Sequence, residues 1–184
     1  MTSTTGSFRL GPGAGRVVLK TSRAGLAAKA GHDLTIEVTR WSAQVEVPAD
    51  EDGGVATATV SAELDLGSLE VREGTGGVKP LTDKDRQDIK KTMTGILGSA
   101  TATFTSSRIM PPGEVEGTVT LNGKTQPARL QVTAPGPGRY RGTATLAQTG
   151  FGIKPYTGFF GALKLSDQVT VEFDVDLGQA EAAG

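Results

Sequence analysis

The stretch Glu114–Val132, EVEGTVTLNGKTQPARLQV, constrains this chain more than any other. Val115, Gly117, Val119 and Leu121 share one parity, and Thr118 and Thr120 take the other. That period of two marks a strand with one buried face. Asn122-Gly123 then supplies the dipeptide of a two-residue type I′ turn, where both central residues need positive φ. Beyond it Ala128, Leu130 and Val132 alternate with Arg129 and Gln131, so the segment predicts an antiparallel hairpin. Pro127 lies early in the return strand, and its missing N–H predicts an edge or a bulge there.

The same residues imitate a phosphate-binding loop, and the imitation fails on spacing. Gly117 and Gly123-Lys124-Thr125 have residues 118–122 between the glycines, one more than that motif allows. The motif also needs a following helix whose N-terminus meets the phosphates, and Pro127 with its alternating sequel predicts a strand instead.

A chain of 184 residues is long enough for one domain with a sizeable core. Its 36% hydrophobic and 21% charged content is that of a folded chain. Nineteen basic and twenty acidic residues leave a net charge of −1, so the composition predicts no broad basic field for nucleic acid or anionic lipid. With no cysteine there are no disulfides, thiolate metal sites or cysteine nucleophiles. The N-terminus MTSTTGSFRLGPGAG lacks the apolar core of a signal peptide, and nowhere do about 18 apolar residues run together to span a bilayer. The expectation is a cytoplasmic chain, exported if a leader has been removed, with no stable membrane insertion.

Taken in order, residues 1–15 are expected to be a flexible arm, 16–178 the domain, and 179–184 a tail. Strands are predicted over Arg16–Ser22, Leu34–Val38 and Ala43–Val47, with a short helical turn over Ala24–Ala30. Val55–Leu66 is the longest period-two run: Ala56, Ala58, Val60, Ala62, Leu64 and Leu66 share one face. Residues 67–80 are Gly-rich and predicted as turns. Thr82–Leu97 predicts the one helix, capped by Thr82, with Asp83 and Asp85 in its first turn. Its apolar Ile89, Met93, Ile96 and Leu97 are placed to pack together. Further strands are predicted over Thr101–Ile109, Arg139–Ala147 and Gln168–Leu177, with aromatics clustered over 150–165. Roughly eight or nine short strands and one helical insert argue for an all-β antiparallel barrel or sandwich.

The polar residues offer little chemistry. His32 is the only histidine, and Asp33, on the opposite strand face, is poorly placed to orient it. One histidine with carboxylates is a weak zinc set, and no catalytic residue, metal or cofactor is assigned. The apolar residues leave two readings open. The small side chains of Ala56, Ala58 and Ala62 leave a void unless Phe104, Phe151, Phe159 and Phe160 fill it, and a closed sheet of this size is about wide enough for one slim ligand.

The order of motifs resembles the YceI-like family of lipocalin-like proteins, from about Arg16 to Leu177. The resemblance rests on Gly31-His32 leading to Trp41, Asp85-Arg86-Gln87-Asp88 in the helical insert, and Ala102-Thr103-Phe104 with Ser106-Ser107. It continues through Val115–Pro127, Phe151-Gly152-Ile153 and Asp167-Gln168-Val169. The insert departs from the family pattern, reading Thr92-Met93-Thr94-Gly95-Ile96-Leu97. The resemblance implies an extended eight-stranded barrel around a long apolar ligand, a polyisoprenoid or isoprenoid quinone, and no catalysis. The residues expected along the ligand are Ala58, Val60, Ala62 and Leu64; Met93, Ile96 and Leu97; Phe104, Phe151 and Ile153; and Tyr156, Phe159, Phe160 and Phe173. His32 and Arg86 are the candidates for head-group contact. The expected partner is thus a lipid, with no nucleic acid; a homodimer stays open. The alternatives are a β-domain with a filled core that acts through protein contacts, and a hydrolase using His32.

Overall fold

The computed structural model describes residues 5–49, 57–158 and 161–182. Strands β1 (Gly6–Leu10), β2 (Gly15–Thr21), β3 (Arg23–Ala24), β4 (Asp33–Val38), β5 (Trp41–Val47), β6 (Thr59–Asp65) and β7 (Leu69–Thr75) precede the helix α1 (Asp83–Leu97). Strands β8 (Thr101–Met110), β9 (Glu114–Leu121), β10 (Lys124–Gly136) and β11 (Arg139–Ala147) follow it. The chain ends with β12 (Thr157–Gly158), β13 (Leu163–Leu165), β14 (Gln168–Asp176) and β15 (Glu181–Ala182).

One large curled antiparallel sheet takes the order β15-β1-β5-β6-β8-β9-β10-β11-β14-β2-β4-β7. The order closes on itself, because two pairs of strands are halves of single bent strands. β4 passes into β5 across Thr39 and Arg40, and β6 into β7 across a 3₁₀ turn at Leu66–Ser68. The two bends lie side by side, and Ser68 fastens them. Its buried hydroxyl accepts from the Arg40 N–H (2.9 Å) and donates to the Asp65 carbonyl (2.7 Å). Thr39 donates both its N–H (3.3 Å) and its hydroxyl (2.7 Å) to the Ser68 carbonyl. The alternation left a barrel or a sandwich open; the result is the lipocalin-like barrel that the family resemblance implies, mostly β with one α-helix among the described residues.

The organising hairpin forms in the predicted register, with Leu121 opposite Lys124, and Asn122 (φ 55°) and Gly123 (φ 72°) both left-handed. Pro127 pairs with Thr118 of β9 on one side, while the ladder from β10 to β11 begins only at Gln131. The expected edge is therefore real. α1 starts at the Thr82 cap, whose side chain accepts from the Asp85 N–H (3.1 Å) while Asp85 accepts from the Thr82 N–H (2.9 Å). This reciprocal pair satisfies two of the donors that a helix start leaves open. Ile89, Met93 and Leu97 pack on the barrel core, and Lys90 pairs with Glu70 of β7.

Three sequence expectations need correction. Residues 6–15 are not a loose arm: β1 pairs with β5 through Phe8–Val45, and Leu10 and Ala14 are buried. The segment 179–184 is not wholly a tail, since β15 pairs with β1 through Phe8–Ala182. Most tellingly, the Gly-rich stretch 67–80 contains β7, whose Leu69 and Val71 are buried against Val38 and Ile36 of β4. Its glycines serve packing, because a Cβ on Gly74 would lie 2.1 Å from Leu81 Cδ1. The small strands β12, β13 and β3 form a second sheet at one end of the barrel.

Candidate functional site

The inner wall is built by parity. β4 turns Leu34, Ile36 and Val38 inward, and in-register pairing carries the same face around the ring. It includes Val45 of β5, Val60, Ala62 and Leu64 of β6, Phe104 of β8, and Val119 of β9. Leu130 and Val132 of β10, Ala144 and Leu146 of β11, and Val171 and Phe173 of β14 complete it. The wall is mostly apolar, with the polar Thr21 and Gln126 sharing the inward parity.

Its burial is uneven. The fully packed residues fall into three separate clusters. The largest gathers Leu10, Ile36, Val38, Trp41, Leu69 and Leu177, among others. A second holds Ala102, Leu121 and Phe151, and a third Phe104, Val115 and Ala128. Val45, Val60, Ala62, Leu64, Leu130, Val132, Val171 and Phe173 point inward and pack against these clusters, yet they and Ala144 are only partly buried. A side chain in a filled β-core loses nearly all its accessible surface, as interiors pack like organic crystals.

The expected ligand residues separate accordingly. Val60, Ala62, Leu64 and Phe173 lie on the half-exposed inner wall, and Ala58 is half-buried just before β6. Phe104 and Phe151 are buried cluster residues, with Ile153 half-buried against Phe151's cluster. Met93 and Leu97 face the core from α1, whereas Ile96 is exposed on the helix's outer side, and Tyr156 is exposed too. The apolar spacing on α1 did not separate these, because Ile96 is adjacent to Leu97 and only packing decides which is covered. Ala56, Phe159 and Phe160 lie outside the described residues.

His32 and Arg86 stand elsewhere. The His32 ring lies against Gly77, and its Nε2 donates to the Lys79 carbonyl (2.7 Å), which requires the proton on Nε2. Asp33 does not orient it: that carboxylate accepts from the Arg23 N–H (2.9 Å) instead. Arg86 precedes Ile89 by about one turn on α1, and its guanidinium is paired with Asp83 (3.1 Å). Sequence reasoning passed over Thr21. It shares the inward parity of Val17 and Leu19, pairs with Leu34, and its buried hydroxyl has no partner among the described residues. Its place in the alternation of RVVLKTS was the available signal.

The perturbed carboxylates are structural and lie outside the wall. The Thr149 hydroxyl and N–H hold Asp167 below the ordinary aspartate range, and the Arg141 and Arg139 guanidiniums do the same for Asp174. Hydrogen bonding to the ionised form is the cause in each case. Two grooves are also external. One of about 700 Å³ is lined by polar groups including Arg40, Ser42, Glu63 and Thr94, and one of about 570 Å³ lies under the turn at Pro111-Pro112. Among the described residues no group of three or more His, Asp or Glu side chains could hold a metal ion.

The YceI-like domain model matches residues 15–177, the span from the first inward strand to the buried Leu177. This chain belongs to the YceI-like family. YceI-like proteins are a binding family that generally takes polyisoprenoids and is not known as enzymatic. No curated protein matches the chain. Among the described residues no helix is long and apolar enough to cross a membrane.

Proposed function

We propose that this YceI-like barrel binds a long apolar small molecule, a polyisoprenoid or isoprenoid-quinone lipid, along its inner wall, for carriage, storage or sequestration. The observation that carries this reading is the run of inward apolar residues that stay only partly buried beside the three packed clusters. Apolar surface removed from water stabilises by about 25 cal/mol per Å². A long tail laid on that wall therefore gains affinity in proportion to its length, without an elaborate polar site. Thr21 offers one hydroxyl for a ligand oxygen, at the end of the wall where β2 stops. His32 and Arg86, already committed to Lys79 and Asp83, are weaker candidates for head-group contact.

The test is mass spectrometry of an organic extract from natively purified protein. A stoichiometric long-chain lipid supports the reading. A clean extract, together with no uptake of added isoprenoid quinone, returns the chain to the filled-core alternative.

A further inference from the structure

Three chain segments meet at one end of the barrel, where β2 and β7 stop and β4 and β14 begin. They are residues 22–31, 76–81 and the flanks of the loop at 152–158 and 161–166. The β3–β13–β12 ladder joins the first to the third, together with Ala27 N–H to the Ala162 carbonyl (3.0 Å) and Ser166 N–H to the Ser22 carbonyl (2.8 Å). His32 ties the second to the first through the Lys79 carbonyl, and the Arg23 guanidinium packs on Gly76.

The three segments carry charge of one sign. The three segments contain Arg23, Lys29, Lys79, Lys154 and Lys164 and none of the chain's twenty acidic residues. Arg23 is engaged by Asp33 and the Gly31 carbonyl, which leaves four exposed lysines without an ion pair among the described residues. Of the carboxylates at the border, Asp33 is engaged by Arg23, Asp83 by Arg86, Asp85 by Thr82 and Asp167 by Thr149, while Glu73, opposite Thr35 near the end of β7, is exposed.

Two turn tips on the same end present apolar side chains to solvent. Leu26 is 100% exposed and Val78 80% exposed. Each follows a left-handed glycine, Gly25 (φ 89°) or Gly77 (φ 74°), and each has a lysine close behind it in sequence, Lys29 or Lys79. Tyr156, on the third segment, is exposed too. One exposed leucine is ordinary. Apolar tips set among unpaired lysines, with an exposed tyrosine on the third segment, match the layering of an anionic bilayer surface.

We propose that this end of the barrel docks on an anionic lipid bilayer, with Leu26 and Val78 entering the headgroup region and Lys29, Lys79, Lys154 and Lys164 facing lipid phosphates. The surface goes beyond the ligand reading: it stands on charge and exposure, and it would place the end of the barrel against the reservoir of any lipid cargo.

Flotation of the ligand-free full chain with extruded vesicles tests it. Vesicles of phosphatidylcholine with phosphatidylglycerol should carry the protein upward at low salt. Neutral phosphatidylcholine vesicles, or high salt, should leave it behind. Each lysine near an anionic surface is worth about fivefold in partition, so Lys29→Glu with Lys79→Glu should lower it more than tenfold. Leu26→Ser with Val78→Ser should lower it severalfold with the melting temperature unchanged, and Arg9→Glu with Arg108→Glu, away from this end, should not. Equal flotation on neutral vesicles, no flotation on anionic ones, or equal loss in the Arg9 and Arg108 pair overturns the proposal. So does a dimer in sedimentation that the Leu26 and Val78 pair abolishes, since the patch then joins two copies. Organic extracts of the same preparations keep the readings apart, because lipid in a protein that does not float leaves the ligand reading standing.

Discussion

Phe104 stands directly opposite Ala62 in the β6–β8 ladder, yet its ring lies over Gly117 of β9 on its other side. A Cβ on Gly117 would be 2.6 Å from Phe104 Cε2. Phe104 is 7% exposed as a result, while Ala62, next to Ala43 on its far side, stays half-exposed. The Phe104 ring thus covers Gly117, and Ala62 packs only at the edge of the cluster that Phe104 forms with Val115 and Ala128.

On the proposed ligand reading, Ala62→Phe fills volume that a lipid tail would otherwise take. On ligand-free protein the melting temperature is expected to hold or rise, while uptake of a long-chain quinone falls sharply. Overpacking a dense core costs about 1–3 kcal/mol, and filling a void can stabilise, so calorimetry separates the two by sign. A marked fall in melting temperature, with no lipid in the wild-type extract, would mean the interior is solid.

Gly117→Ala should behave in the opposite way. The added methyl meets the Phe104 ring and lies 2.4 Å from the Thr105 carbonyl oxygen. A cost of about 1–3 kcal/mol, at roughly 2–4 °C per kcal/mol for a domain of this size, is the expected drop. An unchanged melting temperature would show that the ring moves freely and that the third cluster is not tightly packed.

Ser68→Ala removes the buried hydroxyl that holds the β4–β5 bend against the β6–β7 bend, and leaves the part-buried Arg40 N–H and Asp65 carbonyl without that partner. Loss of a buried partner costs about 1–3 kcal/mol. Denaturant unfolding should give a lower midpoint with the slope unchanged. Wild-type stability in the variant would contradict the role assigned to this serine.

His32→Ala releases the Lys79 carbonyl, at a cost of at most about 1 kcal/mol, and should leave ligand occupancy within a few-fold. Complete loss of binding in a folded variant would place the histidine at the ligand.

Asp167 and Asp174 have carboxyl groups held below their ordinary range by their partners. A folded value below the unfolded one gives stability that is full above the unfolded value, about 3.9, and is lost as pH falls through the folded value. Melting temperature should therefore be insensitive to these groups at neutral pH and decline below about pH 4. In Asp167→Asn with Asp174→Asn the acid decline should be shallower; an identical acid profile would show that these pairs contribute nothing.

The sequence by itself determined whatever is set by neighbours along the chain. The alternation of Val115 to Leu121, the Asn122-Gly123 turn and the Thr82 helix cap are local, and each formed as expected. The run Val60, Ala62 and Leu64 likewise fixed which face lines the barrel. Tertiary structure decided what depends on distant partners. β7 hides among glycines, because only β4 and Leu81 give Leu69, Val71 and Gly74 their purpose. β1 and β15 exist only by pairing with strands remote in sequence. Ile96 and Leu97 share an apolar character, and the barrel covers only one of them. A net charge of −1 predicted no basic field, yet folding brings together at one end three segments that hold lysines and no carboxylate, with acidic residues only at their border. Charge balance is a sum over the chain, whereas a surface potential depends on which residues the fold makes neighbours.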